Sequence, residues 1–282
     1  MELLTTRQAL DQWVEDAYRA GHRVGFVPTM GALHAGHISL FQTARQGCDR
    51  VIGSIFVNPT QFGPNEDFQR YPRTLEQDQS LLEQAGCHAL FLPAVVDIYP
   101  EGHQTRVQVG ALAEDLCGRC RPGHFQGVAT VVAILFNLVR PRVAYFGLKD
   151  YQQFLVIRRM VDDLAMPLKV VGLPTVREAD GLAMSSRNRY LDEHARAQAA
   201  ALFRALKRAQ ELYAAGEEDP AALEATARAV LTTAGITRID YVAARDPETL
   251  APMVQCKKNP VILIAAWVGS ARLIDNRQLI RN

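Results

Sequence analysis

Apolar positions along this chain alternate between helical stripes and short unbroken runs. Leu10, Trp13, Val14 and Ala17 fall on one helical face, which Gly21 can close. The runs 23–27, 51–57, 88–92, 142–146 and 169–172 read as strands, and Asn58-Pro59 stops the second of them. Helical spacing fills 38–46, 75–85, 128–139 and 151–164 between them. Unbroken apolar strands separated by helices predict an α/β fold, a Rossmann-like parallel sheet covered on both faces and wound right-handedly. Such sheets place ligands at the carboxyl ends of their strands. Beyond Thr175 the rhythm changes. One long helix is expected over 192–215 and another over 221–234, followed by strands at 239–242, 261–265 and 272–275. The expected organisation is a first domain over 1–175 and a smaller α+β domain with an antiparallel sheet over 176–282.

Composition agrees with that picture and narrows it. At a typical length of roughly 150 residues per domain, a chain of 282 residues allows two domains, and 48% hydrophobic residues suffice for their cores. The net charge of +1 argues against a polycation that tracks nucleic acid. The basic positions Arg204, Lys207 and Arg208 read as a solvated helix face, offset by Glu211 and the acidic stretch after it. Five cysteines, an odd number in a long chain, read as reduced cytosolic thiols. The first residues lack a basic start followed by an apolar stretch, so no signal peptide is expected. The apolar run 260–268 is about half of what a membrane-spanning helix needs.

Two segments carry chemistry. Pro28-Thr29-Met30-Gly31-Ala32-Leu33-His34-Ala35-Gly36-His37 follows the first long strand and opens a helix. Its backbone N–H groups are expected to face a site at the sheet edge, where a helix N-terminus favours phosphate oxygens. Two imidazoles three residues apart can donate hydrogen bonds to phosphates without fixed charge. The segment has neither the glycine pattern of a dinucleotide fingerprint nor the lysine of a Walker loop. Half of a metal site is the other reading of His-x-x-His. The second segment, Met184-Ser185-Ser186-Arg187, offers hydroxyls, backbone donors and a guanidinium suited to a triphosphate. The pair resembles the two signatures of the nucleotidyltransferase superfamily that includes class I aminoacyl-tRNA synthetases.

Within that superfamily the chain resembles the pantoate–β-alanine ligase family over nearly its whole length. The resemblance is carried by 27–37, by 55–62, by Arg70-Tyr71-Pro72-Arg73-Thr74, by Arg121-Pro122-Gly123-His124-Phe125, by 146–153 and by 177–191. It implies a cytoplasmic homodimer that makes pantothenate, on the coenzyme A pathway, from pantoate, β-alanine and ATP with Mg²⁺, with no nucleic-acid or membrane partner. By resemblance, Met30, Gly31, Ala32, Leu33, His34, Ala35, Gly36 and His37 line the nucleotide, and His37 donates a proton or hydrogen bond to the reacting phosphate. Gly147, Leu148, Lys149 and Asp150 hold adenosine, Val176 meets the adenine, and Met184, Ser185, Ser186 and Arg187 close over the phosphates. Gln61 and Gln153 hold pantoate, and Gln61 also serves β-alanine. Leu148 and Cys117 stand where the family pattern often carries an acid.

Other readings fare less well. Cys117-Gly118-Arg119-Cys120 with His124 invites a zinc reading, but no second Cys/His pair lies at a suitable distance, so no protein-held metal is expected. An adenylyltransferase acting on a phosphate ester is the nearest alternative, and it would not need the Gln61 block. A tRNA synthetase would need an anticodon-binding domain for which the residues after Thr175 leave little room. A silent nucleotide sensor would be expected to have lost His37 or Lys149, and both are present.

Overall fold

The computed structural model describes residues 1–64 and 66–281. Contacts divide it into two compact units, one of Met1–Leu148 with Val156–Pro174, the other of Lys149–Leu155 with the chain from Thr175 onward. In chain order the elements up to Leu173 are β1 (Glu2–Leu4), α1 (Arg7–Arg19), β2 (Val24–Thr29), α2 (Ala35–Gly47), β3 (Arg50–Ile55), α3 (Leu75–Gln84), β4 (Ala89–Phe91), α4 (Val95–Ile98), α5 (Cys117–Cys120), α6 (His124–Val139), β5 (Val143–Gly147), α7 (Tyr151–Asp163) and β6 (Lys169–Leu173).

The first unit is built on a parallel sheet of order β1-β4-β3-β2-β5-β6. Its middle strands bury both faces, as their unbroken apolar runs require. On one face Leu40, Phe41 and Ala44 of α2 and Leu82 of α3 pack on Val27, Val51, Leu90 and Tyr145. On the other, Phe136 of α6 sits edge-on between Phe26 and Phe146, 6.3 Å from each ring. From β2 the chain moves outward through β3 and β4, then returns to the opposite side of β2 with β5. The order therefore reverses between β2 and β5, where a crevice opens at the carboxyl ends of such strands. β1 was not expected. With three residues it is too short to show a period, and its place comes from pairing with β4.

The second unit holds α8 (Glu193–Ala199), α9 (Ala201–Ala214), α10 (Pro220–Thr233), β7 (Ile239–Arg245), β8 (Val261–Val268) and β9 (Ala271–Gln278). The strands form an antiparallel sheet of order β7-β8-β9, with Ile262 and Ile264 packed against Leu202, Leu206, Tyr213, Leu223 and Leu231. The single helix expected over 192–215 is two. Ala200, at φ −60° and ψ −15°, ends α8 and starts α9. Neither Gly nor Pro marks this break. Buried Ala199, Ala200 and Ala201 are small enough to let the chain turn tightly beside the core.

Candidate active site

The loop after β2 is held by its own side chains. Gly31 and Ala32 both lie in the left-handed region, at φ 82° and 51°. For alanine that conformation costs roughly 1–2 kcal/mol. The buried carboxylate of Asp78 on α3 offsets it, accepting from Ala32 N at 2.9 Å and Leu33 N at 2.8 Å, and from Thr74 Oγ1 at 3.2 Å. Hydrogen bonds to a charged acceptor contribute about 1.5–3 kcal/mol each, so the clamp outweighs the strain. His34 then caps α2 in the place usually taken by Ser, Thr, Asp or Asn. Its Nδ1 accepts from Gly36 N at 3.2 Å, while His37 Nδ1 accepts from His34 N at 3.3 Å. The two rings lie against each other, tilted by 41°, with centroids 4.1 Å apart.

This geometry corrects one expectation. The N–H groups of Gly31, Ala32, Leu33, His34, Gly36 and His37 all bond within the protein, to Thr29 Oγ1, Asp78, the two imidazoles and His34 O. They do not line up toward a phosphate. With Nδ1 accepting, a neutral imidazole carries its proton on Nε2.

Gln61 lies beside this loop, donating from Nε2 to Met30 Sδ at 3.1 Å. It ends the short turn Pro59–Gln61 after β3, and its amide is oriented by Asn58, whose Nδ2 donates to Gln61 Oε1 at 3.1 Å and to Gly127 O at 3.2 Å. The turn rests on α6. Gly127 allows the approach, since a Cβ there would stand 2.5 Å from Thr60 O. His124 Nδ1 donates to Gln61 O at 2.8 Å, which leaves Nε2 to accept from Arg121 Nη1 at 3.0 Å. Arg121 in turn grips both oxygens of Glu66 at 2.6 Å. Burial pushes the Glu66 carboxyl up, but Arg121's hydrogen bond and charge, with Gly63 N–H and His124 adding, hold it below its ordinary value.

Gly147 ends β5, next to β2 in the sheet, and the turn Leu148–Asp150 follows. Lys149 is three-quarters covered or more, its Nζ 3.8 Å from Asp150 Oδ1, and Gln153 is half-buried in the first turn of α7. In the second unit the chain folds back over 176–184. Met184 N donates to Val176 O at 3.0 Å, and Arg177 and Ala183 bridge. Ser185 caps the turn Ser186–Tyr190, accepting from Arg187 N at 3.3 Å, and Asn188 Nδ2 ties that turn to Glu178 and Ala183.

The profile of the pantoate-β-alanine ligase family matches residues 2–278. Pantothenate synthetase of Magnetococcus marinus is 61% identical over 98% of this chain and 95% of its own. The chain belongs to the pantoate–β-alanine ligase family. The crystal structure of the Thermus thermophilus pantothenate synthetase superposes with a TM-score of 0.92 at 49% identity, covering 99% of both chains. The Francisella tularensis pantoate-β-alanine ligase, complexed with β-γ ATP and β-alanine, does so at 0.83 and 35% identity, covering 99% of this chain and 97% of its own.

Within this ligase fold, the first unit brings the His34/His37 loop and Gln61 together, with Gly147 at the end of the adjacent strand and Leu148 just after it. The second unit brings Val176 and Met184 together and holds Lys149, Asp150 and Gln153. Sequence reasoning missed Asp78 and Asn58. The spacing did carry a signal for Asp78, an acid four residues before the buried Leu82 on the same helical face. Among the described residues no three His, Cys, Asp or Glu side chains converge as a metal site. Cys117 is buried and Cys120 exposed.

Proposed function

We propose that this chain condenses pantoate with β-alanine at the expense of ATP, through a pantoyl-adenylate. A carboxylate resists amines because its carbonyl is electron-rich and oxide cannot leave. The pantoate carboxylate therefore first attacks the α-phosphorus of ATP, and pyrophosphate leaves. The amine of β-alanine then attacks the acyl carbon, AMP departs with the bonding pair, and the amine gives up a proton. Most of the protein's contribution is positioning and stabilising phosphate charge.

The observation that carries this reading is the β2–β5 switch point, flanked by the His34/His37 loop and by Gly147, in a chain that matches the family from 2 to 278. His37, its Nδ1 engaged by a backbone N–H, donates from Nε2–H to the reacting phosphate. Met30–His37 line the nucleotide, Gly147–Asp150 hold adenosine with Lys149 reaching phosphate oxygens, and Val176 meets the adenine. Met184–Arg187, on a C-terminal domain acting as a lid, close over the β- and γ-phosphates. Gln61 and Gln153 hold pantoate through neutral amides, and Gln61 also serves β-alanine. Mg²⁺ enters as part of the Mg·ATP substrate. In that role the ion is held chiefly by phosphate oxygens and water.

Incubation with ATP, pantoate and β-alanine should yield AMP, pyrophosphate and pantothenate in equal amounts by mass spectrometry. ADP in place of AMP, or no product that requires β-alanine, would overturn the reading. We also propose the cytoplasmic homodimer that the family resemblance implied. Among the described residues no helix is long and apolar enough to cross a membrane. Light scattering should give near twice the 31.2 kDa chain mass.

A further inference from the structure

Strand β9 is an edge strand, bonded to β8 alone in the sheet. Two adjacent polar residues, Asp275 and Asn276, are nevertheless buried on it. Neighbouring residues of a strand point to opposite faces, and these two reach different segments of the second unit. Asp275 takes Arg177 by both oxygens, at 2.6 Å and 2.9 Å. The same guanidinium donates to Gly181 O at 3.0 Å, closing the fold-back over 176–184, and stacks on Phe203 at 4.8 Å. Asn276 Nδ2 donates to the backbone oxygen of Lys149 at 2.9 Å. The Lys149–Leu155 segment is also tied through Tyr151, whose Oη donates to Pro247 O at 2.8 Å. β9 lies against the Ser186–Tyr190 turn as well.

We propose that Asp275 and Asn276 are positioning residues for nucleotide chemistry, which fix Lys149 and the Val176–Met184 fold-back from a single strand. The proposal rests on the reading that Lys149 and Met184–Arg187 hold the nucleotide. Only 1% of the Asp275 side chain is exposed, and the bidentate Arg177 guanidinium meets both of its oxygens there. Such a pair fixes orientation as well as charge. The carbonyl of Lys149 belongs to the backbone from which its side chain is aimed, so a donor there sets where the ammonium falls. Displacement of a catalytic group by about an ångström is enough to cost on the order of a hundredfold.

The test uses the full-length enzyme with Asn276→Ala and the isosteric Asn276→Asp, which keeps the shape and loses the donor. Each is measured alone and combined with Lys149→Ala, with circular dichroism as the check on folding. The specificity constant for ATP in pyrophosphate exchange should fall by about tenfold or more, while KM for β-alanine stays within about twofold. In the Lys149→Ala background either substitution should add less than about threefold, because the residue acts through Lys149. Exchange within about threefold of wild type, or effects that multiply in the double variants, would overturn the proposal. So would loss of fold by both substitutions, since Asn276 would then serve folding alone. A Lys149→Ala enzyme with full activity would instead overturn the underlying reading of Lys149.

Discussion

Asp78 illustrates what one buried carboxylate does for the site. Its two oxygens hold consecutive N–H groups of a loop that includes an alanine in the left-handed region. Asp78→Asn leaves one acceptor oxygen and turns an NH₂ toward the second donor. Leaving one buried donor unsatisfied costs about 1–3 kcal/mol. The loop should loosen, raising KM for ATP and lowering Tm by about 2–4 °C per kcal/mol lost. An unchanged Tm together with an unchanged KM would contradict the clamp. Lys149→Ala and Arg187→Ala act on charge and should leave the fold intact. Each should slow turnover on the order of a hundredfold or more, the usual loss when one stabiliser of a developing phosphate charge is removed. Turnover close to wild type in a folded variant would count against their roles.

At the scale of elements, the turn that carries Gln61 depends on α6. Gly127→Ala raises helix propensity by up to about 1 kcal/mol. The new methyl, however, meets three backbone atoms of Thr60 and Gln61 at 2.5–2.8 Å, and backbone cannot swing aside as a flexible side chain does. Overpacking of this kind costs about 1–3 kcal/mol, so it wins. The expected result is lower stability and a higher KM for pantoate, measured by denaturant melts and initial rates. Glu66 adds a pH dependence to the same turn. Its folded value lies below the ordinary 4.5, so its contribution is present above that pH and is lost as pH falls through the lower folded value. Glu66→Gln should therefore destabilise the protein at neutral pH, and its difference from wild type should shrink below about pH 4.5. A difference that grows toward acid would contradict the assignment.

At the scale of the molecule, the sheet was legible because its central strands are buried on both faces and so read as unbroken apolar runs. β1 was not, since a strand of three residues has no period and exists through its partner. The bend at Ala200 carries no turn residue and follows from packing. The His34/His37 loop and Met184–Arg187 stood out as residue types suited to phosphate, yet their supports did not. The loop donors that Asp78 accepts from lie 45 and 46 residues away, and Asp275 meets Arg177 across 98. Local pattern carries no trace of pairs so far apart, and it also misdirected the loop's backbone donors, which Asp78 and the two imidazoles consume. The central claim, that carboxylate activation precedes amine attack, has a direct measurement in isotope exchange. With ATP and pantoate, and no β-alanine, labelled pyrophosphate should enter ATP, and His37→Ala should suppress that exchange far more than it slows discharge of the preformed adenylate by β-alanine. Exchange that proceeds without pantoate, or that requires β-alanine, would contradict the account.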